Sequence, residues 1–131
     1  MNHYIHGIQI EAATMLEIAK RQIIPSCIQY SGKIAGSLRQ MQECGLSAKR
    51  LQNHVEMVAE SLESIMALTE ELERTVNLAS SFEDLYARAR YMAEDVCGAM
   101  DRLRTRCDAL ETVVDRRDWP MPTYTDLLHR I

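Results

Sequence analysis

Four histidines, four cysteines and nineteen carboxylates are the groups with which this 131-residue chain could do chemistry. His3 and His6 stand three apart, a spacing at which one helical face could present two imidazoles to a metal ion. No Cys or acidic partner sits at ligand spacing, so the pair reads as a solvated or domain-contacting start. His54 adjoins Val55 and is expected at the edge of a helical seam. Cys27, Cys44, Cys97 and Cys107 are scattered, with no C-x-x-C pair. That spacing argues against zinc and against a disulfide framework, and the default setting is a reduced cytoplasm. The thiols fall on or near apolar stripes, where free Cys packs as a small hydrophobe. The sequence has no glycine-rich phosphate loop, no G-x-S-x-G and no Glu-x-x-His motif of the kind di-iron bundles use. Alone, the chain is expected to catalyse nothing and to hold no cofactor.

The elements that would carry these groups follow from composition and period. Only 5 glycines and 3 prolines punctuate the chain, which favours few, long elements. Leu, Ile, Met and Ala dominate the apolar set, and such residues lose little side-chain freedom in a helix. The expected class is all-α. With a net charge of −4 and both signs interspersed, nothing suggests a nucleic-acid partner. No apolar run approaches the roughly 20 residues that span a bilayer, and no signal peptide opens the chain.

Helix one is expected over 8–44, with Ile8, Ala12, Met15, Ala19, Ile23, Cys27, Tyr30, Ile34, Leu38 and Met41 on one face and Gly45 as its stop. Pro25 cannot donate a backbone hydrogen bond and disfavours helical geometry at Ile24, so a kink is expected there. Helix two is expected over 47–79, capped by Ser47. Its seam, Leu51, Val55, Val58, Leu62, Ile65, Thr69, Leu72, Val76 and Ala79, steps by four and three throughout. Glu56, Glu60, Glu63, Glu70 and Glu73 would form its solvated face. Helix three is expected over 81–117, opened by a capping box of Ser80 with Glu83 or Ser81 with Asp84. Its stripe runs through Phe82, Leu85, Ala89, Met92, Val96, Ala99, Leu103, Cys107, Leu110 and Val114. Met15, Met66, Met92 and Met100 sit near the seams as gap-fillers. Gly32 and Gly36 invite close approach by another backbone, near Gly98, or local flexibility. Two short connections make neighbouring helices antiparallel, giving an elongated three-helix bundle.

Residues 118–131 form a tail that cannot prolong helix three. Trp119 and Met121 each precede a proline, which pushes both to extended geometry. Thr123, with Asp126 three residues on, can cap a short terminal turn. Trp119, Pro120, Pro122, Tyr124, Leu127 and Leu128 together make an apolar hook, expected to fold back on the bundle or to dock on a neighbouring domain.

Two stretches together resemble the C-terminal region of type III glutamine synthetases, glutamate–ammonia ligases found mostly in bacteria. One is IEAATMLEIAKRQIIPS, residues 10–26; the other is ALETVVDRRDWPMPTYTDLLHRI, residues 109–131. The family's pattern is like I-E-A-x-T-M-x-x-x-A-K-x-x-I-x-P near the start and W-P-x-P-T-Y-x-x-L-L at the end. Ser26 and His129 depart from the Ala and the aromatic that often stand at those places. The resemblance implies that the chain is a helical piece of a larger enzyme that makes glutamine from glutamate, ammonia and ATP with divalent cations. It also implies homo-oligomeric assembly and contact with the parent's catalytic domains, whose active-site residues have no counterparts here. Two further readings stand beside it: a free-standing helical interaction module, and a ligand- or metal-binding four-helix bundle formed by dimerisation.

Overall fold

The computed structural model describes residues 2–114 and 117–118. Three helical rods carry the chain, and no strand occurs among the described residues. The first rod joins α1 (Asn2–Ile18) to α2 (Ile24–Glu43) through a π turn at Ala19–Ile23. The second is the uninterrupted α3 (Lys49–Ala79). The third joins α4 (Leu85–Tyr91) to α5 (Cys97–Glu111) through a π turn at Met92–Val96. All three rods pack on one another. Lys20 pairs with Glu73 and Tyr30 with His54, so the second rod runs against the first. Tyr30 also meets Val113, so the third runs alongside the first in the same direction.

The α3 seam sits as the four-and-three stepping requires. Val58, Ile65 and Leu72 are fully buried, and Leu51, Val55, Leu62 and Val76 are half-buried at its flanks. Thr69 is the buried polar residue of the core, and its hydroxyl donates to the Ile65 carbonyl at 2.7 Å, so no donor is orphaned. Met92, Val96 and Leu103 of the third rod and Ala12 and Cys27 of the first close the same core. Met66, expected near the seam, is instead exposed, and Leu85 is also largely outside. Glu73, expected on the solvated face, reaches Lys20 of the first rod, and Glu71 accepts from Arg102 of α5 at 2.6 Å.

The helix boundaries differ from expectation for physical reasons. The first rod starts at Asn2, not near residue 8, because burial of Ile5 and Ile8 outweighs the roughly 1 kcal/mol cost of a helical Gly7. α3 is preceded by Ala48 rather than capped by Ser47. The third rod begins at Leu85. Ser80 and Ser81 donate backward to the Asn77 and Leu78 carbonyls, and Asp84 is the true cap, accepting from the Ala87 amide at 3.0 Å. That rod ends its regular helix at Glu111, six residues short of expectation, with backbone bonds from Val113 and Val114 to Leu110 closing it.

Gly45, at φ 77°, ends the first rod with the two paired bonds of a Schellman turn: Leu46 N–H to Met41 and Gly45 N–H to Gln42. At Pro25 the chain stays helical. The π turn just before it lets Ile24 N–H reach back five residues to Ala19. The same turn keeps the buried face in phase through Ala19, Ile23 and Cys27, a double step of four. Gly32 and Gly36 face open space, and the nearest atom to a Cβ at Gly98 would be the Arg102 side chain, so no backbone approaches them closely.

Candidate functional site

Polar side chains that bind the three rods to one another gather where the third rod ends. The Tyr30 hydroxyl donates to the Val113 carbonyl at 3.1 Å and lies 3.0 Å from His54 Nε2. One O–H donates once, so with its proton on Val113 the phenol oxygen accepts from His54 Nε2–H. This fixes the His54 tautomer with the proton on Nε2. The rings meet edge to face, with centroids 6.2 Å apart and planes at 89°. The clasp also gives a partner to one of the carbonyls that a helix C-terminus leaves without one. Just beyond it, Lys33 Nζ donates to both Asp118 oxygens at 3.1 Å and holds the start of the tail against α2. His54 was read as a seam-edge residue; its role as a three-rod fastener needed the inter-helix register.

A groove of about 650 Å³ runs between the first and third rods on the side away from α3. Ile10, Met15, Ile18, Leu103 and Cys107 form its apolar floor, and Glu11, Arg104, Asp108 and Glu111 its charged rim. Glu11 and Arg104 face each other across it at 3.9 Å. Ile10 is 54% exposed there, unusual for a large aliphatic chain on an otherwise packed helix. At one end of the bundle His3 and His6 share a shallow depression with Leu85 and Arg88. The guanidinium beside them opposes a cation, and no cluster of three or more metal-binding side chains occurs among the described residues. Tyr4 and Tyr86 lie exposed nearby in sequence on α1 and α4.

Burial pushes the Cys27 thiol up to about 11 and the Cys107 thiol up to about 12, the latter further raised by Cys27 and Asp108. The Cys97 thiol is raised as well, by burial and then by Asp101 and Glu11. A thiol held protonated is a poor nucleophile and metal ligand, which suits core packing. Cys44 alone among the four is exposed. Of the site residues read from sequence, Pro25 lies exposed in the first turn of α2. Trp119, Pro120, Pro122, Tyr124, Leu127 and Leu128 lie outside the described residues. No helix among the described residues is long and apolar enough to cross a membrane.

This helical scaffold has relatives. A family model described as the glutamine synthetase C-terminal domain matches residues 1–42, the first rod with its π turn and Pro25. The fold and that match define the chain as similar to an accessory helical domain of a ligase. The particular likeness is to type-3 glutamine synthetases, as the two end motifs implied. A type-3 glutamine synthetase of Dictyostelium discoideum is 24% identical across 95% of this chain and 18% of its own length. A glutamine synthetase of Bacteroides fragilis (strain YCH46) is 24% identical across 98% of this chain and likewise 18% of its own. The chain thus spans about a fifth of the length of these relatives.

Proposed function

We propose that this chain is a non-catalytic structural and assembly domain of a type III glutamine synthetase, an enzyme that joins ammonia to glutamate at the expense of ATP. The observation that carries the reading is the coverage: nearly the whole chain aligns with proteins named as glutamine synthetases, over only 18% of their length. ATP and divalent cations would bind in the parent's catalytic domains, and the helical domain would contact those domains or other subunits of a homo-oligomer in the cytoplasm. The apolar groove and the exposed Ile10 supply a surface of the kind such packing uses. A bend of the first rod at Pro25 would set the angle at which its two halves meet their partners.

The test has two arms. The purified chain is assayed with ATP, glutamate, ammonia and magnesium, and no glutamine is expected; turnover would overturn the non-catalytic role. The matching segment is then deleted from a full-length type-3 glutamine synthetase and the particle mass is measured by light scattering. A smaller particle is expected, and an unchanged mass would refute the assembly role. The groove gives one reason to keep a second reading, a free-standing helical interaction module. An open reading frame for ligase domains immediately upstream and in frame would decide against it.

A further inference from the structure

Past the Tyr30 clasp the third rod stops, while the first two continue. The part of α2 from Ser31 to Glu43 runs on for about 20 Å at 1.5 Å per residue. Ile34, Leu38 and Met41 extend the apolar stripe along it, opposite Leu51 and Val55 of α3, yet none of these five is fully buried. Met41 is 37% exposed and Leu46, in the connecting turn, 57%. The stripe is the same one that is sealed by the third rod further back, at Ala12 and Cys27. Here it has lost its cover.

We propose that residues 119–131 of this chain lie along this uncovered α2–α3 seam, with Trp119 as the first anchor. The inference is independent of the glutamine synthetase reading. It rests first on where the segment starts. Asp118, with a side chain only 12% exposed, is held by Lys33, the residue before Ile34. Consecutive Cα atoms are about 3.8 Å apart, so Trp119 begins beside the open end of the seam. Length agrees: thirteen extended residues reach roughly 40 Å, about twice what the overhang needs. Pro120 and Pro122 favour an extended course and bring no amide donor of their own to be satisfied.

Charge separates this seam from the other apolar surface. The overhang carries Lys33, Arg39, Lys49 and Arg50 against Glu43, and so attracts Asp126 of the segment. The groove between α1 and α5 has Glu11, Asp108 and Glu111 on its rim against Arg104, and so repels it.

Trp119 is the only tryptophan, so fluorescence of the purified chain reads this one position. Its emission is expected to be blue-shifted, and its acrylamide quenching weaker, than in the urea-unfolded chain. Leu38→Glu should move both readings to the unfolded-chain values while the helical circular dichroism is kept. Met41→Glu alters a side chain that is already exposed, so it leaves the core intact and should loosen the segment in the same direction. Ile10→Glu, in the groove, should change neither reading. Native-state quenching equal to that of the unfolded chain would overturn the proposal. So would insensitivity to both seam variants, or exposure of Trp119 by Ile10→Glu, which would place the segment in the groove. A blue shift that fades on dilution would overturn it in favour of a second copy of the chain.

Discussion

Replacing Tyr30 by Phe removes one oxygen atom and keeps the ring, which makes it the cleanest probe of the three-rod clasp. The hydroxyl serves two partners, the Val113 carbonyl at 3.1 Å and His54 Nε2 at 3.0 Å. Each neutral hydrogen bond contributes about 0.5–1.5 kcal/mol net, and a carbonyl left without a partner in a part-buried place adds to the loss. The ring stays buried, so no cavity term enters. The expected cost is therefore about 1–3 kcal/mol. Urea unfolding followed by circular dichroism should show it as a lower midpoint at unchanged slope, since the surface exposed on unfolding does not change. His54→Ala should cost a similar amount, and the double variant less than the sum, with a coupling of at least about 0.5 kcal/mol between touching residues. A Tyr30→Phe variant within about 0.3 kcal/mol of the parent, or strict additivity with His54→Ala, would refute the clasp.

Other outcomes follow from the packing and the turns. Leu72→Ala, at a fully buried seam position, should cost about 2–5 kcal/mol, whereas Met66→Ala on the exposed flank should stay within about 0.5 kcal/mol, both read by urea midpoints. Gly45→Ala forces a Cβ into the left-handed region at φ 77° and should destabilise by about 1 kcal/mol; an equal or raised melting temperature would contradict the Schellman turn. Under native conditions a thiol reagent should modify Cys44 quickly and reach Cys27 and Cys107 only on unfolding, as counted by mass spectrometry. The same two thiols predict alkaline instability. Their folded values, about 11 and about 12, lie above the ordinary 9.0, so above pH 9 the unfolded chain gives up protons first. Stability is then whole below pH 9 and falls as pH rises through 11, by up to about 1.4 kcal/mol per pH unit for each thiol. Cys107→Ala should flatten that fall, and an unchanged slope would refute the assignment.

The α3 seam was legible because its apolar residues keep one step pattern for the whole of a long helix, and Leu51 to Ala79 occupy the places that pattern assigns. The start of the first rod was not, since Gly7 and the absence of a capping residue gave no local reason to extend it. Only the burial of Ile5 and Ile8 against other elements supplies that reason. At the third rod the cue was read one partner off. Ser81 and Asp84 were paired as cap and acid, but Asp84 is itself the cap, and the serines turn back to the helix before. The π turns reside in backbone bonds that no side chain announces, although the double step of four at Ala19, Ile23 and Cys27 is a trace of the first. Tyr30 and His54 each fell on a seam by spacing. That they share one hydroxyl with Val113 depends on how three rods are set in register, which spacing within a single rod does not encode. The family likeness, in contrast, lay in the order of residues 10–26 and 109–131, and the relatives bear it out.

The Tyr30–Val113 bond also bears on the order in which the chain folds. Its partners are 83 positions apart, whereas α2 and α3 are joined by a five-residue turn that Gly45 shapes. Closing a short connection costs far less chain entropy than closing the long loop between Tyr30 and Val113. A hairpin of α2 on α3 therefore forms at low cost and early, and it waits with one apolar face open for the third rod. During synthesis that rod emerges last, so the clasp is fastened only when almost the whole chain has left the ribosome. Until then Cys27 and Tyr30, buried in the finished bundle, face water, and the open hairpin is the state most exposed to wrong partners.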